Sequence, residues 1–199
     1  MLLVLMRGAV KPVAGIFVAA LGVVSPALAQ TVPAKLAVTS ATLKTGEPMP
    51  RDYTPDGRNV SPPIAWSNLP PTTKELAVVC ADFGAGAPPP WVHWVIYNIP
   101  ATAKGLPEGV PIDPAAAMPG EIRGATQGFN SWRRAIYRGP APPAGTTHVY
   151  YFTVYALDSD LDLKPNLTRA ELLAAMQGHI IGQGEIVPMY GRPAARTGQ

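Results

Sequence analysis

Cysteine is almost absent from the sequence, because Cys80 is the single one among 199 residues. One thiol cannot form a disulfide within the chain, so the sequence excludes a fold stabilised by internal bridges. The apolar run at residues 76–81 contains this cysteine. We therefore interpret Cys80 as a small buried hydrophobic residue rather than a nucleophile.

Charge is also scarce, at 15% of residues with a formal net charge of +3. Removing Arg7 and Lys11 with the N-terminal segment described next lowers that charge to +1. The remaining basic residues are scattered, which excludes the electrostatic footprint of a nucleic-acid-binding protein. The sequence also lacks an H-E-x-x-H helix, a G-x-S-x-G elbow and a Walker-type loop, so the usual signatures of several enzyme classes are missing. No cofactor is predicted.

The N-terminal segment has the pattern of a secretory signal peptide. Residues 1–29 contain two basic residues and no acidic residue, an apolar run from 13 to 24, and Ala27-Leu28-Ala29 as the cleavage motif. The alternative is an uncleaved membrane anchor, but the run is shorter than the ~20 residues that a span requires. We predict a mature chain of residues 30–199 forming one domain, periplasmic or secreted, with no membrane span after cleavage.

The mature part shows a succession of short strand-like runs separated by proline and glycine clusters. We predict strands at residues 36–40, 64–66, 76–81, 92–99 and 149–157. This pattern indicates a mainly β fold, an antiparallel sandwich or barrel with few helices. A capping box at Thr168 and Glu171 predicts a helix over residues 168–180, with His179 favourably placed in its last turn. The second half of residues 101–137 is interpreted as a rim over a pocket.

Two of the predicted strands carry a histidine at or near their first residue. The period of a strand places His148 and Tyr150 on one face, and His93 on a face with Val95 and Tyr97. Asp82 follows the strand that precedes His93, so we expect the two side chains to meet and the carboxylate to favour a charged imidazole. These residues predict an anion site. The alternative is that each histidine is an ordinary core or surface residue.

Five segments together give the chain a resemblance to a known family. They are YTPDGRNVSPPIAW at 53–66, WVHWVIYNIP at 91–100, GPAPPAGTTH at 139–148, YYFTVYALD at 150–158 and EIVPMYGR at 185–192. The chain resembles the phosphatidylethanolamine-binding protein family in its bacterial Raf-kinase-inhibitor-like (YbhB/YbcL-type) branch. The resemblance implies a sandwich of two antiparallel sheets with peripheral helices, and a small pocket for phosphate-like anions or phospholipid head groups.

The family's pocket residues can be carried over position by position. The resemblance assigns ligand binding to Asp82, His93, Ala141, Pro142, His148 and Tyr150. The family's Asp-Pro-Asp-Ala-Pro stretch is replaced here by DFGAGAP at residues 82–88, so its second carboxylate is missing. Many bacterial relatives carry cysteine at the positions of Pro55 and Ala141; their joint absence implies that a bridge has been lost and that the rim is more mobile here.

Three functions remain open at this point. The first is a secreted binding protein for a small anion or lipid head group, which the resemblance extends to inhibition of a partner kinase or protease; export argues against a cytoplasmic kinase. The second is a phosphoester hydrolase in which Asp82, His93 and His148 hold a divalent metal or act as acid and base. The third is an interaction protein with a vestigial pocket.

Overall fold

A computed structural model describes residues 32–86, 89–113 and 115–194 of the chain. The predicted signal peptide lies outside these ranges and stays a prediction. The strands are β1 (Ala34–Lys35), β2 (Ala37–Thr39), β3 (Ile64–Ser67), β4 (Glu75–Asp82), β5 (Trp91–Pro100), β6 (Gly105–Leu106), β7 (Thr126–Gln127), β8 (Thr147–Leu157), β9 (Ile180–Ile186) and β10 (Met189–Gly191). The helix α1 spans Arg169–Ala175, and 3₁₀ turns span Arg51–Tyr53 and Gly120–Ile122.

The larger sheet has seven strands in the order β1-β9-β8-β4-β5-β7, with β10 also pairing β8. Its centre is β4, which is buried along its whole length and lies antiparallel between β5 and β8. The run of apolar residues at 76–81 is therefore a strand with both faces covered. All pairs in this sheet are antiparallel except β1 with β9.

The second sheet has three strands, in the order β2-β3-β6, and covers one face of the larger sheet. Ile64 and Trp66 of β3 and Leu106 of β6 join Cys80 and Trp94 in the main hydrophobic core. The opposite face of the larger sheet has its own core, which Leu172 of α1 and Met176, directly after the helix, complete. The predicted mainly β architecture of two sheets is confirmed, and Cys80 is buried as a core residue.

The helix is shorter than predicted. Its capping box is present: Glu171 N donates to Thr168 Oγ1 at 3.3 Å, and Thr168 N donates to Glu171 Oε2 at 2.8 Å. However, the chain turns at Gly178, whose φ of +85° disfavours other residues, and β9 begins at Ile180. His179 therefore lies outside the helix, where its Nδ1 is 3.0 Å from Asp158 Oδ1.

Several strands have no counterpart in the sequence prediction. The stretch 101–137 contains β6, a 3₁₀ turn and β7, and residues 180–191 form β9 and β10. Glycines interrupt the apolar pattern of β9 and so hide the strand from a sequence reading. They are needed there, since a Cβ at Gly184 would lie 2.9 Å from the Leu36 side chain. Over the ranges that the structure describes, no helix has the length and apolar character needed to cross a membrane.

Candidate functional site

One cavity of about 290 Å³ opens where β4 ends and where β5 and β8 begin. Antiparallel pairing places the end of β4 beside the starts of its neighbours, so Asp82 lies opposite Trp91 on one side and Tyr150 on the other. The cavity is lined by Asp82, Ala85, Trp91, His93, Trp132, Ala141, Pro142, Pro143, His148 and Tyr150. All six residues that the resemblance assigns to the pocket are among them.

His93 reaches the cavity because of an irregularity in β5. Cys80 pairs with Trp94 and Ala81 pairs with Val92, so His93 is an extra residue in the register. Such a bulge changes the face to which a side chain points. The predicted strand face was wrong: Val95 packs on the helix side of the sheet, whereas the His93 ring meets Tyr150 at a centroid distance of 5.2 Å.

The His93 imidazole is held by one loop carbonyl. Its Nδ1 lies 2.8 Å from Arg138 O, and Arg138 N donates back to His93 O at 3.1 Å. Because a carbonyl only accepts, the Nδ1 carries the hydrogen. His93 is 3% exposed, and this burial lowers the pKa of its imidazole, an effect that the carbonyls of Arg138 and Gly139 and the charge of Asp82 oppose only in part.

Asp82 binds the other histidine of the pocket. Its Oδ2 is 2.7 Å from Nδ1 of His148, and its Oδ1 accepts from Gly84 N at 2.7 Å. The expectation that Asp82 holds the His93 ring was therefore wrong, because the register of β4 with β8 brings the start of β8 to the carboxylate. Both carboxylate oxygens are occupied within the protein, and Nε2 of His148 stays available to a ligand.

Tyr150 contributes a hydroxyl group that has no hydrogen-bond partner among the described residues. The ring is packed in the core. In the described ranges, every side-chain polar atom that is fully buried has a hydrogen-bond partner. A hydroxyl without a partner is therefore accessible, and this one faces the cavity that Tyr150 lines. Burial, reinforced by the negative charge of Asp82, raises the pKa of Tyr150 far above its ordinary value. The phenol therefore stays protonated and acts as a hydrogen-bond donor.

The apolar wall of the pocket is the loop that carries Ala141 and Pro142. It begins at Gly139, whose backbone crosses the turn at residues 53–54 so closely that a Cβ would overlap the Tyr53 carbonyl oxygen. Gly139 N donates to Asn59 Oδ1 at 2.9 Å. A proline-rich segment has few conformations to lose, so a wall fixed in this way costs little entropy when a ligand binds.

The far side of that wall is fixed by an ion pair. Arg192 donates to both oxygens of Asp56, from Nη2 at 2.7 Å and from Nε at 2.8 Å, and its Nη1 is 3.5 Å from Pro142 O. Tyr190 OH also donates to Asp56, at 2.7 Å. These hydrogen bonds lower the pKa of the Asp56 carboxyl. The two-pronged pairing makes Arg192 a rigid link between two loops.

The rim of the pocket is aromatic. Trp132, from the stretch interpreted as a rim, packs edge-on against His93 at 5.4 Å and against Trp91 at 5.2 Å. The Arg138 guanidinium lies 4.3 Å from the centroid of the Trp132 ring, which fixes the residue whose carbonyl holds His93. Trp91 is 41% exposed at the mouth of the pocket.

Sequence reasoning missed Trp91, Ala85 and Pro143 as lining residues, and missed the roles of Arg138 and Arg192. Trp91 begins β5 and lies opposite Asp82 of β4, which was already a candidate site residue, so the pairing of these two strands could have revealed it. Arg138 and Arg192 left no comparable signal, because their roles depend on loop positions that local pattern does not specify.

The hydrolase alternative receives no support from the geometry. In residues 32–86, 89–113 and 115–194, no group of three or more His, Cys, Asp or Glu side chains is placed to hold a metal ion. A second cavity, of about 460 Å³, lies beside β6, and Lys104 and Glu121 are the charged residues in its lining. Convergent polar groups mark a binding site better than volume does, so the histidine pocket is the candidate site.

Comparisons with known proteins agree with this architecture. A UPF0098 protein from Methanothermobacter thermautotrophicus is 43% identical over 144 residues, covering 72% of this chain and 91% of the relative. One from Aquifex aeolicus is 37% identical over 157 residues, covering 78% of this chain and 88% of the relative.

Two solved structures share the fold. The crystal structure of YbcL from E. coli, described as a member of the mammalian PEBP family, is 33% identical with a TM-score of 0.71, covering 79% of this chain and 99% of that one. A phosphatidylethanolamine-binding protein homologue from Chlamydia trachomatis is 32% identical with a TM-score of 0.68, covering 79% and 98%. The family model for phosphatidylethanolamine-binding proteins matches residues 39–191. The chain therefore belongs to the phosphatidylethanolamine-binding protein family.

Proposed function

We propose that this protein is an exported binding protein whose histidine pocket holds a small oxyanion, such as phosphate or the phosphate of a lipid head group. Members of the family are generally binding proteins, which supports binding rather than catalysis as the activity. The signal-like residues 1–29 support export. The described part of the chain supplies the donors that an oxyanion requires.

The observation that carries the proposal is the convergence of two polar side chains from β8 on one cavity. Tyr150 offers a hydroxyl without a partner among the described residues, and His148 offers Nε2 while Asp82 occupies its Nδ1 at 2.7 Å. The carboxylate orients the ring before a ligand arrives, and it would pair with the imidazolium whose Nε2–H donates to an anion. Donors fixed in advance in a partly enclosed cavity bind an anion more strongly than the same groups in water.

Titration calorimetry of the purified protein with inorganic phosphate and with phosphoethanolamine tests the proposal. His148→Ala should weaken binding of both by about tenfold or more, the usual scale for a lost hydrogen bond to a charged group. His179→Ala is the matched control, because His179 also pairs with an aspartate, Asp158 at 3.0 Å, but lies outside the pocket. Equal affinities in the two variants, or no heat from either compound in the wild type, would contradict the proposal.

Export has its own test. Expression with the natural N-terminus, followed by fractionation and N-terminal sequencing, should yield a chain that begins at Gln30 outside the cytoplasm. An intact Met1 on a cytoplasmic protein would refute this part of the proposal and leave the pocket unaffected.

A further inference from the structure

The two histidines of the pocket differ in what their Nδ1 atoms bind. Nδ1 of His148 is 2.7 Å from a carboxylate oxygen of Asp82, and Nδ1 of His93 is 2.8 Å from the carbonyl oxygen of Arg138. Both partners accept hydrogen bonds, so each Nδ1 carries a hydrogen. Each Nε2 is then a bare acceptor in the neutral ring and becomes a donor only when the ring takes up a second proton.

The two rings differ in the charge that lies beside them. His148 has the negative charge of Asp82 in direct contact. His93 has a neutral carbonyl instead, is 3% exposed, and is flanked by the rings of Tyr150 and Trp132. Burial without a charged partner disfavours its ionised form, and the pKa of His93 is accordingly lowered.

When the His148 ring is charged, a ligand in the pocket meets two donors and one acceptor. The donors are Tyr150 OH and, in the charged ring, Nε2–H of His148; the acceptor is Nε2 of His93. An oxyanion oxygen placed against that acceptor would bring two sets of lone pairs together, unless the oxygen carries a hydrogen. The remaining charged group near His93 is Arg138, and its guanidinium is stacked on Trp132 at 4.3 Å.

We infer that the pocket selects an oxyanion that carries its own proton, with that proton donated to Nε2 of His93. This inference rests on the proposed function and narrows its ligand class. Inorganic phosphate keeps a P–OH group at pH 7.5 even as the dianion, whereas sulfate and phosphate diesters have none and a phosphate monoester, with a second pKa of about 6, has mostly lost its own. The phosphate of a typical phospholipid head group is a diester, so the preferred ligand at this pH is free phosphate rather than an intact lipid.

Phosphate and sulfate form a matched pair of probes, because they share shape and size and differ in the proton. At pH 7.5, calorimetry of the wild type should give a Kd for sulfate that is about tenfold to 100-fold weaker than for phosphate, the scale of an unsatisfied buried group. On acidification, His93 should take up a proton, so sulfate binding should strengthen and the difference between the two Kd values should narrow. The titratable and charged groups that face this ring are Asp82 on β4, His148 and Tyr150 on β8, and Arg138 on the loop.

His93→Gln provides the second measurement. An amide can donate as well as accept, so the variant should bind sulfate and phosphate within about threefold of each other while keeping some affinity for phosphate. His179→Gln, on the surface, should keep the full preference. If the wild type binds phosphate at pH 7.5 and its Kd for sulfate is within threefold of its Kd for phosphate, this inference is overturned and the proposed function is not. Absence of binding by both anions would overturn the proposed function and this inference with it.

Discussion

Replacing Tyr150 by Phe should separate ligand affinity from stability. The Tyr150 hydroxyl has no partner among the described residues and faces the cavity, so its removal breaks no contact in the free protein. In the complex it donates to a charged oxygen, a bond worth about 1.5–3 kcal/mol. The Kd for phosphate should therefore rise roughly 10- to 150-fold, whereas the free energy of unfolding should change by less than about 0.5 kcal/mol.

Tyr137→Phe is the matched control, with the opposite expectation. Tyr137 is fully buried, and its hydroxyl donates to the Tyr53 carbonyl at 2.7 Å. Removing it leaves a buried acceptor unpaired, which costs about 1–3 kcal/mol of unfolding free energy. For a chain of this size, that cost lowers Tm by about 2–12 °C. The affinity for phosphate should change by less than about threefold, because this hydroxyl points away from the cavity.

The two variants and the wild type should be compared by calorimetric titration with phosphate at pH 7 and by thermal unfolding without ligand. Tyr150→Phe should lose affinity and keep stability, whereas Tyr137→Phe should lose stability and keep affinity. A Tyr150→Phe protein that binds phosphate within twofold of the wild type would remove this hydroxyl from the site. A large loss of stability in the same variant would show that the hydroxyl has a structural partner.

Two further predictions concern the wall of the pocket. Arg192 and Tyr190 lower the pKa of Asp56, so the folded state keeps this carboxylate charged at a pH where the unfolded chain is protonated. The stabilisation is complete above about pH 4 and is lost as pH falls further. Urea unfolding between pH 5 and 3 should therefore show a steeper loss of unfolding free energy in the wild type than in Asp56→Asn, and parallel curves would contradict this. Gly139→Ala should cost about 1–3 kcal/mol in the same assay, because its Cβ would overlap the Tyr53 carbonyl. Gly84→Ala, whose Cβ would meet its nearest atom at 3.4 Å, serves as control and should change little.

The central strands could be predicted because their pattern is local. The apolar run at residues 76–81 and the histidine-bearing runs correspond to β4, β5 and β8, with no end displaced by more than two residues. Strand β9 was missed because its glycines are required by the close approach of Leu36, a long-range contact. The end of α1 was misplaced for a related reason: Ile180 fits the helical stripe, but pairing with Leu157 recruits it into the sheet.

The composition of the site could be predicted, but its internal pairing could not. The six residues that the resemblance assigns all line one cavity, since strand ends fix their approximate place. Which histidine binds Asp82 depends on the register of β4 with both neighbours and on the bulge at His93. A single added residue moves a side chain to the other face, and sequence periodicity assumes that no such residue exists.

The resemblance implies that relatives have a disulfide at the positions of Pro55 and Ala141, and that this chain has lost it. In this chain, non-covalent contacts beside these two positions hold the wall in place. The backbone of Gly139 lies on the turn at Tyr53, and Asp56, next to Pro55, binds Arg192, which approaches the Pro142 carbonyl at 3.5 Å. Each such hydrogen bond contributes about 0.5–3 kcal/mol, against about 2–4 kcal/mol for a disulfide. Two or three of them match a bridge in stability, but they break independently and one of them depends on the charge of Asp56. The stabilisation of the wall by Asp56, a residue outside the pocket lining, should therefore weaken as pH falls below about 4.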